Sequence, residues 1–252
     1  TRANAMLRSL VGSEMCIRDS NNRLSRGDIA AVIMEPAMCN SGGISPKHDY
    51  LKKVKQACEL NNALLIFDET ITGFRFAPGG AQEFYETFPD ITVLAKAIAN
   101  GFPVAAITGN KELMSLLTNG KVVHGGTYNS QFLSMIATVK TIENYSRDNF
   151  HNELNEKTIF LKNGLEKVFF DENITSILSS FPGFIFCGFG VNNQPQEYRD
   201  LLNLDADMYI SFCLEMIKRG VRTLERGAWF ISIEHTKDIL QETINIAKEA
   251  IR

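Results

Sequence analysis

The stretch ALLIFDETITGFR, Ala63 to Arg75, sets five consecutive apolar residues directly against two adjacent acids. A run that short and that uniformly apolar reads as a central parallel strand covered on both faces. It delivers Asp68 and Glu69 at its carboxyl end, where open α/β sheets place their sites. On the residues alone, an acid there is either functional or paired. The competing uses of Asp68 are capping the following turn and bonding a nearby base such as Arg75.

Outward from this strand the same rhythm repeats. Ile29 to Met34 is a second short, β-branched run, ending at Glu35 and Pro36. Ser45 as N-cap and Pro46 in the first helical position predict a helix whose Tyr50, Leu51, Val54, Cys58 and Asn61 share one face. Downstream, Asp90 to Lys96 and Val104 to Thr108 read as further strands, the second one buried, around a glycine turn at Asn100 to Pro103. Strand alternating with helix implies an α/β fold with a doubly wound or mixed sheet. Helical spacing returns over Gln131 to Tyr145 and Glu153 to Phe169.

The C-terminal part is built differently. GFIFCGFG, Gly183 to Gly190, reads as a strand region, followed by a helix from Ala206 to Arg219, a strand from Trp229 to Ile233 and a last helix capped by Thr236. This describes a small α+β domain. The expected organisation is a leader over 1–20, the C-terminal part of a large domain over 21–150 and the small domain over 151–252, the last two packed together. Leu7 to Ser20 fits no strand or helix period and resembles translated adapter sequence, so the leader is expected to be artefactual or disordered and outside the fold.

Composition narrows the class. The chain has 252 residues, 44% of them hydrophobic, enough for a sizeable core. A net charge of −3 with interspersed signs leaves no basic stripe for nucleic acid. The longest apolar runs fall far short of the about 20 residues that span a bilayer. Five cysteines stand singly, and four histidines show no H-x-H or H-x-x-x-H pairing, so no metal site is expected. Buried free thiols in a reducing cytosol is the reading that follows.

Two further segments carry chemistry. Lys96, inside VLAKAIANGFPV, is either a solvated lysine with a buried stem or a desolvated amine suited to Schiff-base chemistry. In VHGGTYN, Val123 to Asn129, two glycines and a threonine precede a helix and would present backbone N–H groups to an anion. His124 and Tyr128 flank that loop. His235 and Trp229 read as structural.

In order and spacing these segments resemble the class III, fold-type I aminotransferases, most closely the glutamate-1-semialdehyde 2,1-aminomutase-like group, over about Asp28 to Arg252. The family's D-E-x-x-T-G-F-R stands at Asp68 to Arg75, its P-D-x-x-x-x-x-K at Pro89 to Lys96, and its G-T before a helix at Gly126 and Thr127. The resemblance implies pyridoxal 5'-phosphate as cofactor, with Lys96 as its anchor and proton shuttle. Asp68 would pair with the ring nitrogen, and Thr70 would stand where the family has a valine packing on the ring. Gly126 and Thr127 would reach the cofactor phosphate of a neighbouring subunit, which implies a homodimer. Glu35 would support the cofactor site or its turn.

The implied reaction moves an amino group from a small-molecule donor to a keto or aldehyde acceptor in two half-reactions. The alternatives are the aminomutase itself, supplying tetrapyrrole precursors, and a truncated, non-catalytic homologue acting as a dimerisation scaffold. Departures from the pattern bear on that choice. The family's upstream phosphate loop and ring-stacking aromatic find no counterpart, so the chain is expected to be N-terminally truncated. Gln131 and Phe132 replace a commoner Asn-Pro. By the resemblance, the acid of the aminomutase's late F-E-A-G-F segment aligns near Gly227, within Arg226 to Phe230, which favours the aminotransferase.

Overall fold

The computed structural model describes residues 14–252. Residues 1–13, most of the expected leader, lie outside the described residues. Helix α1 (Glu14–Leu24) then begins inside the stretch that sequence assigned to the leader. Ile17 and Leu24, two turns apart, pack on the core of the first sheet, and Ser20 between them is buried. With Arg18, Asp19, Asn21, Asn22 and Arg23 around them, Ile17 and Leu24 make too sparse a stripe to be read as a period.

The first sheet has the order β1 (Ala31–Met34), β2 (Leu64–Glu69), β3 (Ile91–Leu94), β4 (Ala106–Gly109). The first three are parallel, with Ile33 opposite Ile66 and Asp68 opposite Val93. Between β1 and β2 lies α2 (Tyr50–Leu60). It starts four residues later than Pro46 suggested, because Lys47 to Tyr50 forms a turn and Asp49 adopts φ 59°, outside the helical region. Tyr50, Leu51, Val54, Ala57 and Cys58 of α2 close over Val32, Leu65 and Phe67. Between β2 and β3 runs the short helix α3 (Ala81–Phe84).

The opposite face of this sheet is open. Along β2 the residues alternate, with Leu65, Phe67 and Glu69 buried and Leu64, Ile66 and Asp68 half-buried, so the expectation of a strand covered on both faces is not met. Strand β4 is likewise not the buried strand expected. It runs antiparallel to β3 at the sheet edge, and its Ile107 is 51% exposed. The connection over residues 95–105 is too short for the crossover that a parallel partner requires.

Helix α4 (Lys111–Thr118) follows, capped by the Asn110 side chain, which accepts from Leu113 N–H at 2.9 Å. Helix α5 (Phe132–Tyr145) leads into α6 (Phe150–Asp171). The second sheet is antiparallel: β5 (Ser176–Phe181), β6 (Phe184–Phe189), then, after α7 (Ala206–Lys218), β7 (Ala228–Phe230). The last helix is α8 (Lys237–Ala250), where Thr236 accepts from Ile239 N–H as its N-cap position predicts.

Every residue of β6 is buried, because it is covered twice. Ile185, Cys187 and Phe189 face α6, α7 and α8, against Leu165, Phe169, Phe212 and Met216. Phe184 and Phe186 face the first sheet's loops, against Ala37, Cys39, Ile71 and Phe76. Each such side chain contributes about 1.5–3 kcal/mol on burial, so this second cluster docks the two sheets on one another. Gly43 adopts φ 57° there, and a Cβ on it would meet Phe186 Cβ and Ser179 Oγ, both at 2.6 Å.

Candidate active site

The strand order brings three charged groups to one edge. Strands β1, β2 and β3 are parallel neighbours and therefore release their chains on the same side. Glu35 follows β1, Asp68 lies near the end of β2, and Lys96 follows β3 by two residues. Asp68, on the middle strand, stands between the other two.

Lys96 opens a one-turn 3-10 helix, Lys96–Ile98, with φ 48°. Its carbonyl accepts from Asn100 N–H at 3.1 Å, closing the turn. The side chain is exposed rather than enclosed, so the amine is not in the apolar surroundings that the sharper sequence reading required. Behind the turn, the Tyr145 hydroxyl donates to Ala97 O at 3.0 Å. Tyr145 stacks on Phe74, and a ring nitrogen of His151 lies 3.0 Å from Phe74 O. These braces come from α5, α6 and the loop after β2, and no local sequence pattern signalled them.

Asp68 is half-buried, and its Oδ1 accepts from Thr70 N–H at 3.0 Å. The turn-capping use of this acid is therefore realised, through one oxygen. Arg75 makes no ion pair with Asp68. It donates instead to Gly183 O (3.0 Å) and Ile231 O (3.4 Å) of the second sheet. The half-buried Thr70 hydroxyl has no hydrogen bond among the described residues.

The adjacent acid has a different task. Glu69 is fully buried and accepts from Ala81 N–H, Gln82 N–H, Gln82 Nε2 and Thr72 Oγ1. It ties the loop after β2 to the start of α3 and so holds Asp68 in place. Burial pushes its carboxyl up, against the lowering effect of those four bonds. Asp90 anchors β3 similarly: its Oδ2 accepts from Leu65 N–H (2.8 Å) and its Oδ1 pairs with Lys55 (2.7 Å).

Glu35 is shifted first by burial and then by the groups around it. Burial raises its carboxyl above the ordinary range, Asn40 N–H bonding to it at 3.2 Å opposes this, and the Asp68 charge adds to the rise. Lys96 and Arg226 act in the opposite direction. Arg226, which sequence did not single out, comes from the loop before β7. Cys39 is a buried thiol pushed up by burial and by Glu35, with Arg75 and Lys96 opposing. Cys58, Cys187 and Cys213 are likewise buried and free.

Gly126 and Thr127 are not brought to this cluster within the chain. Residues 121–130 are exposed throughout, Val123 at 94%. The two lie in a turn closed by Asn129 N–H on Gly126 O (3.0 Å), not at the N-terminus of α5. That terminus is occupied by Gln131, whose Oε1 accepts from Ser134 N–H at 2.7 Å and so does the capping that a serine or aspartate does elsewhere. His124 and Tyr128 share the exposed loop. Trp229 is core, with Nε1 donating to Tyr209 (2.8 Å), and His235 Nδ1 accepts from Ser232 N–H just before α8.

Comparison with known proteins bears on this arrangement. The family model described as aminotransferase class-III matches residues 9–251. The chain is 35% identical over 227 residues to a glutamate-1-semialdehyde 2,1-aminomutase from Methanopyrus kandleri, covering 89% of this chain and 53% of that protein. It is 36% identical over 230 residues to the protein of the same name from Francisella philomiragia, covering 89% and 53%. The chain thus spans about half the length of the curated relatives it matches. Among solved structures, a glutamate-1-semialdehyde-aminomutase from Pseudomonas aeruginosa superposes with a TM-score of 0.84 at 18% identity, over 93% of this chain and 54% of the other. An omega-transaminase from Sphaerobacter thermophilus gives 0.84 at 21%, over 94% and 54%. The fold is that of the fold-type I pyridoxal-phosphate transaminases.

Proposed function

Because the chain belongs to the class III aminotransferase family, for which pyridoxal phosphate is the cofactor, we propose that it carries the lysine and carboxylate half of an intermolecular aminotransferase site. The observation that carries this reading is the delivery of Lys96 and Asp68 from adjacent parallel strands to the same sheet edge. The residues fit the group. A primary amine stands, among the described residues, free of any ion pair at a solvent-open turn, and a carboxylate from the adjacent strand keeps one oxygen free of the Thr70 bond.

Bound pyridoxal phosphate supplies an electron sink for the substrate's amine-bearing carbon. Lys96 Nζ anchors the cofactor and then moves the proton to and from that carbon. Asp68 holds a proton on the ring nitrogen by charge pairing. Thr70 offers its methyl to the ring. Glu35, poised between Asp68, Lys96 and Arg226, supports the site's charge balance. In a homodimer, Thr127 and Gly126 would bind the cofactor phosphate of the neighbouring subunit, a reading supported by their full exposure. The substrates would be a small amino donor and a keto or aldehyde acceptor, and the compartment the cytoplasm.

A second reading, the intramolecular aminomutase, is favoured by the names of the relatives above. Against it stands Gly227, near which the resemblance would place that enzyme's acid. Gly227 adopts φ 86°, and a Cβ there would run into the Cys187 carbonyl. An acidic side chain at this position requires the loop to be rebuilt.

The test is reduction of the chain with borohydride in the presence of pyridoxal phosphate, followed by peptide mass spectrometry. A pyridoxyl increment on Lys96 is expected. No increment, or one on another lysine, would leave the truncated dimerisation scaffold as the better reading. Turnover that requires an added carbonyl acceptor separates the aminotransferase from the aminomutase.

A further inference from the structure

Arg75 ends the motif that opens the fold, yet the reading above gives it no part in amino transfer. Its side chain is half-buried at the seam between the two sheets, where Nη1 bridges the carbonyls of Gly183 and Ile231 and Cζ lies 5.3 Å from the Phe230 ring centroid. Bridging two carbonyls needs donors but no charge. Nε is buried with no hydrogen-bond partner, and among the described residues no carboxylate lies within ion-pair distance of the group. A desolvated cation without a counter-charge is costly to keep. Burial accordingly draws its pKa down.

Arg75 borders a cavity of about 220 Å³ that also meets Arg147, Asn144, Asn100, Ser232 and Glu234. That volume lies below the roughly 300–1,000 Å³ of pockets that enclose drug-sized ligands. Arg147 has no carboxylate partner either: its Nε donates to Asn144 O at 3.2 Å and its Cζ lies 5.7 Å from the Phe150 ring. The Asn100 side-chain amide makes no hydrogen bond among the described residues, its backbone N–H being held by Lys96 O. Ser232 Oγ accepts from Glu234 N–H and keeps its proton to donate. Two arginines, the half-buried Arg75 and the exposed Arg147, line the cavity with one acid, Glu234, which is exposed and has no ion pair among the described residues.

We propose that this cavity binds a small oxyanion, inorganic phosphate or a short carboxylate, between Arg75 and Arg147, with Asn100 and Ser232 as neutral donors. Guanidinium groups match such ions through paired N–H donors. Ala97 and Asn100, which also line the cavity, belong to the turn that carries Lys96, and Tyr145 ties that turn to the same wall. An ion bound there touches the back of the Lys96 turn, so its occupancy is set to influence where that lysine sits.

The experiment is calorimetric titration of the chain, free of pyridoxal phosphate and at constant ionic strength, with phosphate, succinate and acetate in separate arms. Saturable 1:1 binding in at least one arm is expected, and the arm that binds most tightly identifies the ion class. Arg147→Gln is expected to weaken that binding at least tenfold without lowering the melting temperature, and Glu234→Gln to tighten it. Thr127→Ala is expected to leave it unchanged, which separates this cavity from a cofactor-phosphate site. Arg75→Lys tests the half-buried partner, with Arg147→Gln decisive should that variant not fold. Absence of saturable binding in all three arms, or unchanged affinity in Arg147→Gln, overturns the assignment.

Discussion

Glu35 and Glu69 are carboxyls with opposite surroundings. Glu69 is pinned by four donors, two on each oxygen. In Glu69→Gln the new amide would face two of those donors with hydrogens of its own, so a loss of about 3 kcal/mol is expected in urea unfolding. Glu35 instead feels the charges around it. With Lys96→Met the lowering influence of the lysine disappears, and the Glu35 carboxyl is expected to titrate at higher pH by carbon-13 NMR. Its folded pKa already lies above the ordinary 4.5. An acid of this kind binds its proton more tightly in the native state, so its stabilising effect is full below 4.5 and is lost as pH rises through the folded value. Glu35→Gln is therefore expected to flatten that decline, measured as urea midpoints in acid and at neutral pH.

At the scale of elements, the positions that matter are ends and turns. Thr236 caps α8 through Ile239 N–H, and Thr236→Ala is expected to cost about 1 kcal/mol, read from the urea midpoint. Gly227 holds the turn before β7, with its carbonyl accepting from Cys187 N–H at 2.9 Å. Its backbone lies where L-residues are strained, and the obstructing atom is a carbonyl that cannot move aside. Gly227→Glu is expected to destabilise by about 1–3 kcal/mol or more and to confer no aminomutase turnover, as tested by thermal melts and product analysis. Lys96 itself occupies φ 48°, a conformation costing about 1–2 kcal/mol for a non-glycine residue. The bracing of its turn by Tyr145 and Phe74 offsets that cost.

For the whole molecule, the uncovered apolar surface is the dominant fact. The open face of the first sheet shows Ile33 at 59% and Ile107 at 51% exposure, and α5 presents Phe132 at 74% beside Leu133, Ile136 and Val139. Surfaces this apolar and contiguous are covered in stable assemblies. The isolated chain is expected to scatter light as a species larger than its 28.2 kDa, and Phe132→Glu with Leu133→Lys to shift it toward that mass. Among the described residues, no helix is long and apolar enough to cross a membrane.

What the sequence by itself determined was local. The apolar run Ala63 to Phe67, the β-branched run before Glu35, Gly183 to Gly190 and the capped last helix were legible because period and punctuation act over neighbouring residues. So was the DETITGFR motif, with Lys96 at its spacing. The start of α2 was misplaced because Ser-Pro signals a helix only if the next residues turn, and Lys47 to Tyr50 turn first. Strand β5 went unread, since SILSSF carries half its pattern in serines whose burial comes from β6. Only tertiary structure decided that β4 is an exposed antiparallel edge and that Glu69 spends both oxygens on structure while Asp68 spends one. The same holds for Arg75 reaching the second sheet rather than Asp68, for Arg226 acting on Glu35 and for Tyr145 bracing the Lys96 turn. Each of these depends on partners distant along the chain, and a side chain's task is set by what packing places against it.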